Sequence, residues 1–138
     1  ASYGYKRQHV SFSIQLIEDG LIDGDPMFQF CLGIPWGAEN DPETIEYLKS
    51  RIPENAHWSA FGIGKMQLPT VREVAQRGGN VRVGLEDNIY LRKGVKATNE
   101  ALVEEAKRIL AELDIEPLTP AEAREKFNLR NPHGKGDK

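Results

Sequence analysis

The chain has 138 residues, 39% of them hydrophobic and 28% charged, with a formal net charge of −3. That is enough apolar material for the core of one ordinary domain. The slightly acidic balance argues against a general binder of nucleic acid or anionic membrane, either of which needs a basic face, and no run approaches the roughly 18 apolar residues of a membrane span.

Residues 1–7 mix aromatic, glycine and basic residues without periodicity. Val10, Phe12, Ile14 and Leu16 then alternate with polar residues, the pattern of a strand, but Ile17 breaks the alternation and Glu18-Asp19-Gly20 has the form of a helix end with a glycine cap. Asp23-Gly24-Asp25-Pro26 is turn chemistry, and Met27 to Leu32 is an apolar run short enough for a buried parallel strand. Cys31, the single cysteine, lies in that run and has no intrachain disulfide partner. It reads as a buried inert thiol in a reducing compartment. With no signal peptide opening the sequence, the expected location is the cytoplasm.

The loop from Gly33 to Asn40 contains Pro35-Trp36-Gly37, and Asp41-Pro42 reads as the N-cap and first residue of a helix with Ile45, Leu48 and Ile52 on its inner side, stopped by Pro53. His57 to Phe61 is a second strand. It runs into Gly62-Ile63-Gly64-Lys65 and a helix from Pro69, with Val71, Val74 and Ala75 inward and Gly78-Gly79 at its end. A third strand is expected over Asn80–Asn88. Side chains alternate along a strand, so Val81, Val83 and Leu85 share one face and Arg82, Gly84 and Glu86 the other, while Asp87 points elsewhere unless the chain turns there. Glu86 and Asp87 are thus read as carboxylates with different roles rather than as a facing pair.

A basic loop, Arg92 to Lys96, leads to a helix over Thr98–Leu113 with Leu102, Val103, Ala106, Ile109, Leu110 and Leu113 on one side. Thr119-Pro120-Ala121-Glu122 is a capping box opening a short helix to about Phe127, and residues 131–138 read as a mobile tail. Strand–helix alternation with helix-sized connections implies an α/β protein with a parallel sheet. Polar groups then gather at the carboxyl ends of the strands, where ligands bind. From spacing alone, Arg82 and Glu86 fit a central site or an internal salt bridge filling a barrel core equally well.

Val81-Arg82-Val83-Gly84-Leu85-Glu86-Asp87-Asn88-Ile89-Tyr90, preceded by Trp58-Ser59-Ala60-Phe61-Gly62-Ile63-Gly64 and Gln67-Leu68-Pro69, resembles the β-keto acid cleavage enzymes, typified by 3-keto-5-aminohexanoate cleavage enzyme. The likeness extends from about Leu16 to Phe127. It implies that residues 1–130 are the C-terminal part of a (β/α)8 TIM barrel, about three parallel strands plus helices, incomplete without the N-terminal half of the same barrel. A whole barrel takes about 250 residues. In that family the segment before Glu18 is helical, so a helix is expected there.

The resemblance also implies a reaction in which a β-keto acid and acetyl-CoA exchange carbon units, giving acetoacetate and a new CoA thioester. The family binds zinc through a His-x-His motif of the N-terminal half and a glutamate matched here by Glu86, while Arg82 and Asp87 match its arginine–aspartate dyad, with the aspartate as base. Members usually form homo-oligomers. His9, His57 and His133 have no ligand spacing among themselves. Gly62, Gly64 and Lys65, after the penultimate strand, stand where barrels often bind phosphate and are a candidate substrate- or CoA-binding loop or a plain tight turn. Arg92, Lys93 and Lys96 could attract CoA phosphates or form a solvated loop. Two other readings are a non-catalytic half-barrel serving as an interaction or scaffold subunit, and a flavodoxin-like domain binding a phosphorylated ligand through Gly62 to Lys65.

Overall fold

The computed structural model describes residues 2–3, 7–22 and 24–129. Strand β1 (Ser2–Tyr3) and helix α1 (Arg7–Glu18) are followed by β2 (Met27–Leu32), α2 (Pro42–Arg51), β3 (His57–Gly62), a 3-10 turn at Gly64–Met66, α3 (Gln67–Ala75) and β4 (Asn80–Val81). A hairpin of β5 (Tyr90–Arg92) and β6 (Val95–Lys96) leads to α4 (Asn99–Ala111) and α5 (Pro120–Lys126). The sheet order is β1-β2-β3-β4, parallel throughout, so the expected α/β class is the observed one.

Local chemistry sets the helix boundaries. Asp41 Oδ1 accepts from Thr44 N at 2.8 Å and Pro42 follows it, so an otherwise orphan N–H is satisfied where proline costs nothing. At the end of α1, Gly20 N donates to Ile17 O and Leu21 N to Leu16 O, with Gly20 at φ 70°. That is a Schellman ending, which favours glycine, and it settles the strand-or-helix ambiguity of this segment for helix. Thr119 and Glu122 form the expected reciprocal capping box.

Alternation along β2 and β3 divides the sheet into two chemically different faces. Phe28, Phe30, Leu32, Trp58 and Ala60 point toward the helices and form the main core with Val10, Ile45, Leu48 and Val74. A second cluster joins α3 and α4 through Val71, Ala75, Ala106, Ile109 and Leu110. Val103, expected on the inner side of α4, is instead 45% exposed. The opposite face of the sheet carries Gln29 and Cys31, registered beside Ser59 and Phe61 of the neighbouring strand.

The third strand departs from expectation. β4 pairs with β3 only at Ser59↔Asn80 and Ala60↔Val81, and the chain leaves the ladder after Val81. Asp87 N and Asn88 N both donate to Gly84 O, at 3.2 and 3.1 Å. Residues 84–88 therefore wind into a turn, because their N–H groups find a carbonyl of their own segment instead of a neighbouring strand. The basic stretch after Tyr90 is likewise not a plain loop but the β5–β6 hairpin, turning at Gly94 with φ 79°. Residues 131–138, expected as a tail, lie outside the described residues.

Candidate active site

The turn at 84–88 redirects the ionisable cluster. Arg82 and Glu86 were expected on one strand face with Asp87 turned away; the bend brings all three together. Arg82 Nε donates to Asp87 Oδ2 at 3.0 Å and Nη2 to Asp87 Oδ1 at 3.3 Å, a side-on two-point contact. Nη2 also donates to Glu86 Oε2 at 2.7 Å, and Nη1 to Gln29 Oε1 at 3.1 Å. The guanidinium carbon lies 4.2 Å from the centre of the Phe61 ring, a cation–π contact that holds the plane of the fork. Gln29 Nε2 points to Ser59 Oγ at 3.4 Å, which directs the acceptor end of its amide toward Arg82.

Three contacts from outside fix the turn. Gln67, wholly buried, donates from Nε2 to Gly84 O at 3.0 Å; Asn99 Oδ1 accepts from Leu85 N at 2.9 Å; Gly64 N donates to Asp87 O at 2.7 Å. The turn carrying Glu86 and Asp87 is thereby tied to α3, to the first turn of α4 and to the loop after β3.

The two carboxylates experience different surroundings although adjacent in sequence. The Asp87 side chain is 6% exposed and that of Glu86 81%. Burial pushes the Asp87 carboxyl above its ordinary range; the Arg82 charge and hydrogen bonds pull it back in part, and Glu86 adds to the upward push. Cys31, buried on β2, has its thiol pushed up by burial first and then by the Asp87 charge, with the Arg82 charge pulling it back in part.

A family model described as "BKACE: beta-keto acid cleavage enzyme" matches residues 4–129. The chain belongs to the β-keto acid cleavage enzyme family. It is 42% identical over 121 residues to a 3-dehydrocarnitine:acetyl-CoA trimethylamine transferase of Rhizobium meliloti, covering 88% of this chain and 40% of that protein. It is 34% identical over 122 residues to a 3-keto-5-aminohexanoate cleavage enzyme of Fusobacterium nucleatum, covering 88% and 44%. To a 3-oxoadipate:acetyl-CoA acetyltransferase of Cupriavidus necator it is 32% identical over 139 residues, covering 93% and 49%. The chain thus spans less than half the length of these curated relatives.

The Glu86 carboxylate, paired with Arg82, otherwise stands open to solvent. Among the described residues, no group of three or more His, Cys, Asp and Glu side chains is placed to hold a metal ion.

Of the glycine loop, Gly62 has a packing reason to be glycine. A Cβ there would lie 2.4 Å from Thr70 Oγ1, 2.6 Å from Asn40 Nδ2 and 2.8 Å from Met66 O. Gly64 takes φ 58° and spends its N–H on Asp87 O, while Lys65 reaches solvent at the rim of a cavity it shares with Glu86 and Asp87. Trp36, 92% exposed at φ 64°, lies away from that cavity and borders a separate hollow with Tyr47 and Asp41.

Sequence reading missed Gln29, Phe61 and Gln67 as parts of the site. A signal existed for the first: Gln29 is the one amide within Met27–Leu32, on the face opposite Phe28 and Phe30.

Proposed function

We propose that this chain is the C-terminal part of a (β/α)8 barrel enzyme that cleaves a β-keto acid with acetyl-CoA, giving acetoacetate and a new CoA thioester. The observation that carries the reading is the pair of a half-buried Arg82 and a buried Asp87 carboxylate at the carboxyl ends of parallel strands, beside the open Glu86 carboxylate. Relatives whose names specify acetyl-CoA as a substrate support the substrate class. The N-terminal half of the same barrel completes the sheet and supplies the remaining zinc ligands, and the assembly is homo-oligomeric.

Asp87 is the base. Its burial raises proton affinity above that of an ordinary carboxylate, the direction that makes it a better base toward a bound keto acid. Arg82 holds that carboxylate through two nitrogens, while its Nη2 contact with the exposed Glu86 is the one open to exchange. A substrate carboxylate or developing oxyanion entering there would compete for Nη2 by a charge-assisted hydrogen bond. Zinc, with Glu86 as its carboxylate ligand here, would supply Lewis-acid polarisation of the keto acid's carbonyl.

The test is zinc content together with acetyl-CoA-dependent acetoacetate formation in the whole protein that carries this chain. Near-stoichiometric zinc that Glu86→Gln abolishes, and turnover that Asp87→Asn abolishes with zinc retained, are the expected results. Full turnover by Asp87→Asn would overturn the base assignment.

A further inference from the structure

We propose that Gln29 is a positioning residue for Arg82: its amide oxygen, steadied by Ser59, holds the guanidinium across the sheet in the orientation from which Nε and Nη2 reach Asp87. The inference deepens the proposed function and rests on its assignment of Arg82 and Asp87 to the reaction.

Arg82 starts from the end of β4, yet one of its nitrogens ends on β2. Gln29, Ser59 and Asn80 stand in one row across β2, β3 and β4, and Arg82 is two residues beyond Asn80. Its side chain runs back over β3, where the guanidinium carbon lies 4.2 Å from the centre of the Phe61 ring, and Nη1 then donates to Gln29 Oε1 at 3.1 Å. A guanidinium resting on an aromatic face is held at one height above the ring but can still rotate in its own plane. A contact at its edge is needed to stop that rotation. Nε and Nη2 form the edge bonded to Asp87, and Nη1, on the other side of the fork, is the nitrogen bonded to Gln29.

The amide suits this place chemically. Arginine has only donors, so it takes the oxygen end of the amide, and Gln29 Nε2 is left to point at Ser59 Oγ at 3.4 Å. Ser59 is itself buried, so the far end of the amide rests on a fixed wall. A neutral acceptor checks the rotation without a third negative charge, and the attraction of Arg82 for Asp87 is not diverted to β2, as a charge-assisted bond there would divert it.

The two members of the pair are thereby anchored separately. The turn that carries Asp87 is tied to α3 by Gln67 and to α4 by Asn99, whereas Arg82 is tied to β2 by Gln29. Their 3.0 and 3.3 Å contacts depend on both anchors. Turnover is steeply sensitive to displacements of about 1 Å in groups that act on a substrate.

Two substitutions in the whole protein that carries this chain separate an acceptor from a space filler. Gln29→Met keeps the volume and removes the oxygen; Gln29→Glu keeps an oxygen for Nη1 and gives up the donor toward Ser59. Gln29→Met should lower kcat about ten-fold with KM for acetyl-CoA within about two-fold, and Gln29→Glu should recover most of that loss. A glutamine that only packs gives the opposite order, since methionine fills the space and an added carboxylate must be desolvated. In an Arg82→Lys background, Gln29→Met should cost nothing further, because an ammonium has no plane to hold. A Gln29→Glu variant slower than Gln29→Met, or equal losses from Gln29→Met in both backgrounds, would overturn the inference. Crystal structures of the two variants separate this failure from failure of the proposed reaction. If Arg82 leaves Asp87 in Gln29→Met and stays on it in Gln29→Glu, the positioning role stands even in a protein that makes no acetoacetate; if the pair has the same geometry in both, the role is absent whatever the reaction.

Discussion

Arg82 meets Asp87 edge-on, through Nε at 3.0 Å and Nη2 at 3.3 Å, while Glu86, one residue earlier, stays 81% exposed on the same guanidinium. One arginine therefore faces a buried and a solvated carboxylate at once, and the two differ in what their loss should do. Asp87→Asn keeps the shape and some hydrogen bonding but removes the proposed base, and turnover should fall by about 10²–10⁴-fold, the range of general-base catalysis. Glu86→Gln should leave the fold unchanged, because an exposed ion pair contributes about 0–1 kcal/mol. Comparing kcat/KM with the unfolding midpoint of each variant checks both expectations.

The raised proton affinity of Asp87 has a pH signature in stability. Its folded pKa lies above the ordinary 3.8, with burial the largest cause. Between those two values the native state holds more protons than the unfolded chain, so the slope of unfolding free energy with pH is negative. Asp87 thus contributes stability fully present below the ordinary value and lost as pH climbs through the raised one. Urea unfolding across a pH series should show the wild-type advantage over Asp87→Asn shrinking as pH rises above 3.8. Glu105, Glu112 and Glu122 are shifted the other way by their hydrogen bonds, but they are common to both proteins and cancel in the difference. An advantage that grew with pH would mean that Arg82 outweighs burial.

The layers of this fold follow from signals that are local in the chain. Asp41-Pro42, Thr119 to Glu122 and Gly20 each fix a helix boundary through hydrogen bonds spanning a few residues, so their spelling suffices. The site obeys a longer-range condition. Arg82 and Asp87 were marked as candidates by family resemblance, yet Val81-Arg82-Val83-Gly84-Leu85 alternates like a strand, and nothing in that spelling says the ladder stops at Val81. What stops it is Gln67 and Asn99, 17 and 14 residues from their partners, taking up Gly84 O and Leu85 N. Gln29, 53 residues from Arg82, was hidden for the same reason.

The two glycines of the loop after β3 should respond differently to alanine. At Gly62 the new Cβ would enter the Thr70–Asn40 hydrogen bond, 2.8 Å long, and meet the backbone carbonyl of Met66 at 2.8 Å, which has little freedom to retreat. Overpacking of this kind costs about 1–3 kcal/mol, and the hydrogen bond is disturbed as well. At Gly64 the Cβ meets nothing within 4 Å, and only the left-handed backbone, φ 58°, opposes the change, at roughly 1–2 kcal/mol. Urea midpoints should place Gly62→Ala below Gly64→Ala, and the reverse order would show that the loop relaxes more easily than its neighbours imply.

Gln67 should separate positioning from stability. Its Nε2 donates to Gly84 O, but its Oε1 is buried with no hydrogen-bond partner among the described residues. Gln67→Met keeps the volume and removes both atoms. The lost hydrogen bond is worth about 0.5–1.5 kcal/mol, while removing an unsatisfied buried acceptor returns a comparable amount, so the net change in stability should be under about 1 kcal/mol. Gly84 O keeps its bonds from Asp87 N and Asn88 N, so the turn persists, but its tie to α3 is gone and Asp87 can drift relative to Arg82. Turnover depends steeply on such placement, and kcat should fall about ten-fold or more while the unfolding midpoint barely moves. In an Asp87→Asn background the same substitution should produce no further loss, because the proposed base is no longer there to position. An equal loss in both backgrounds would show that Gln67 supports the fold without acting through Asp87.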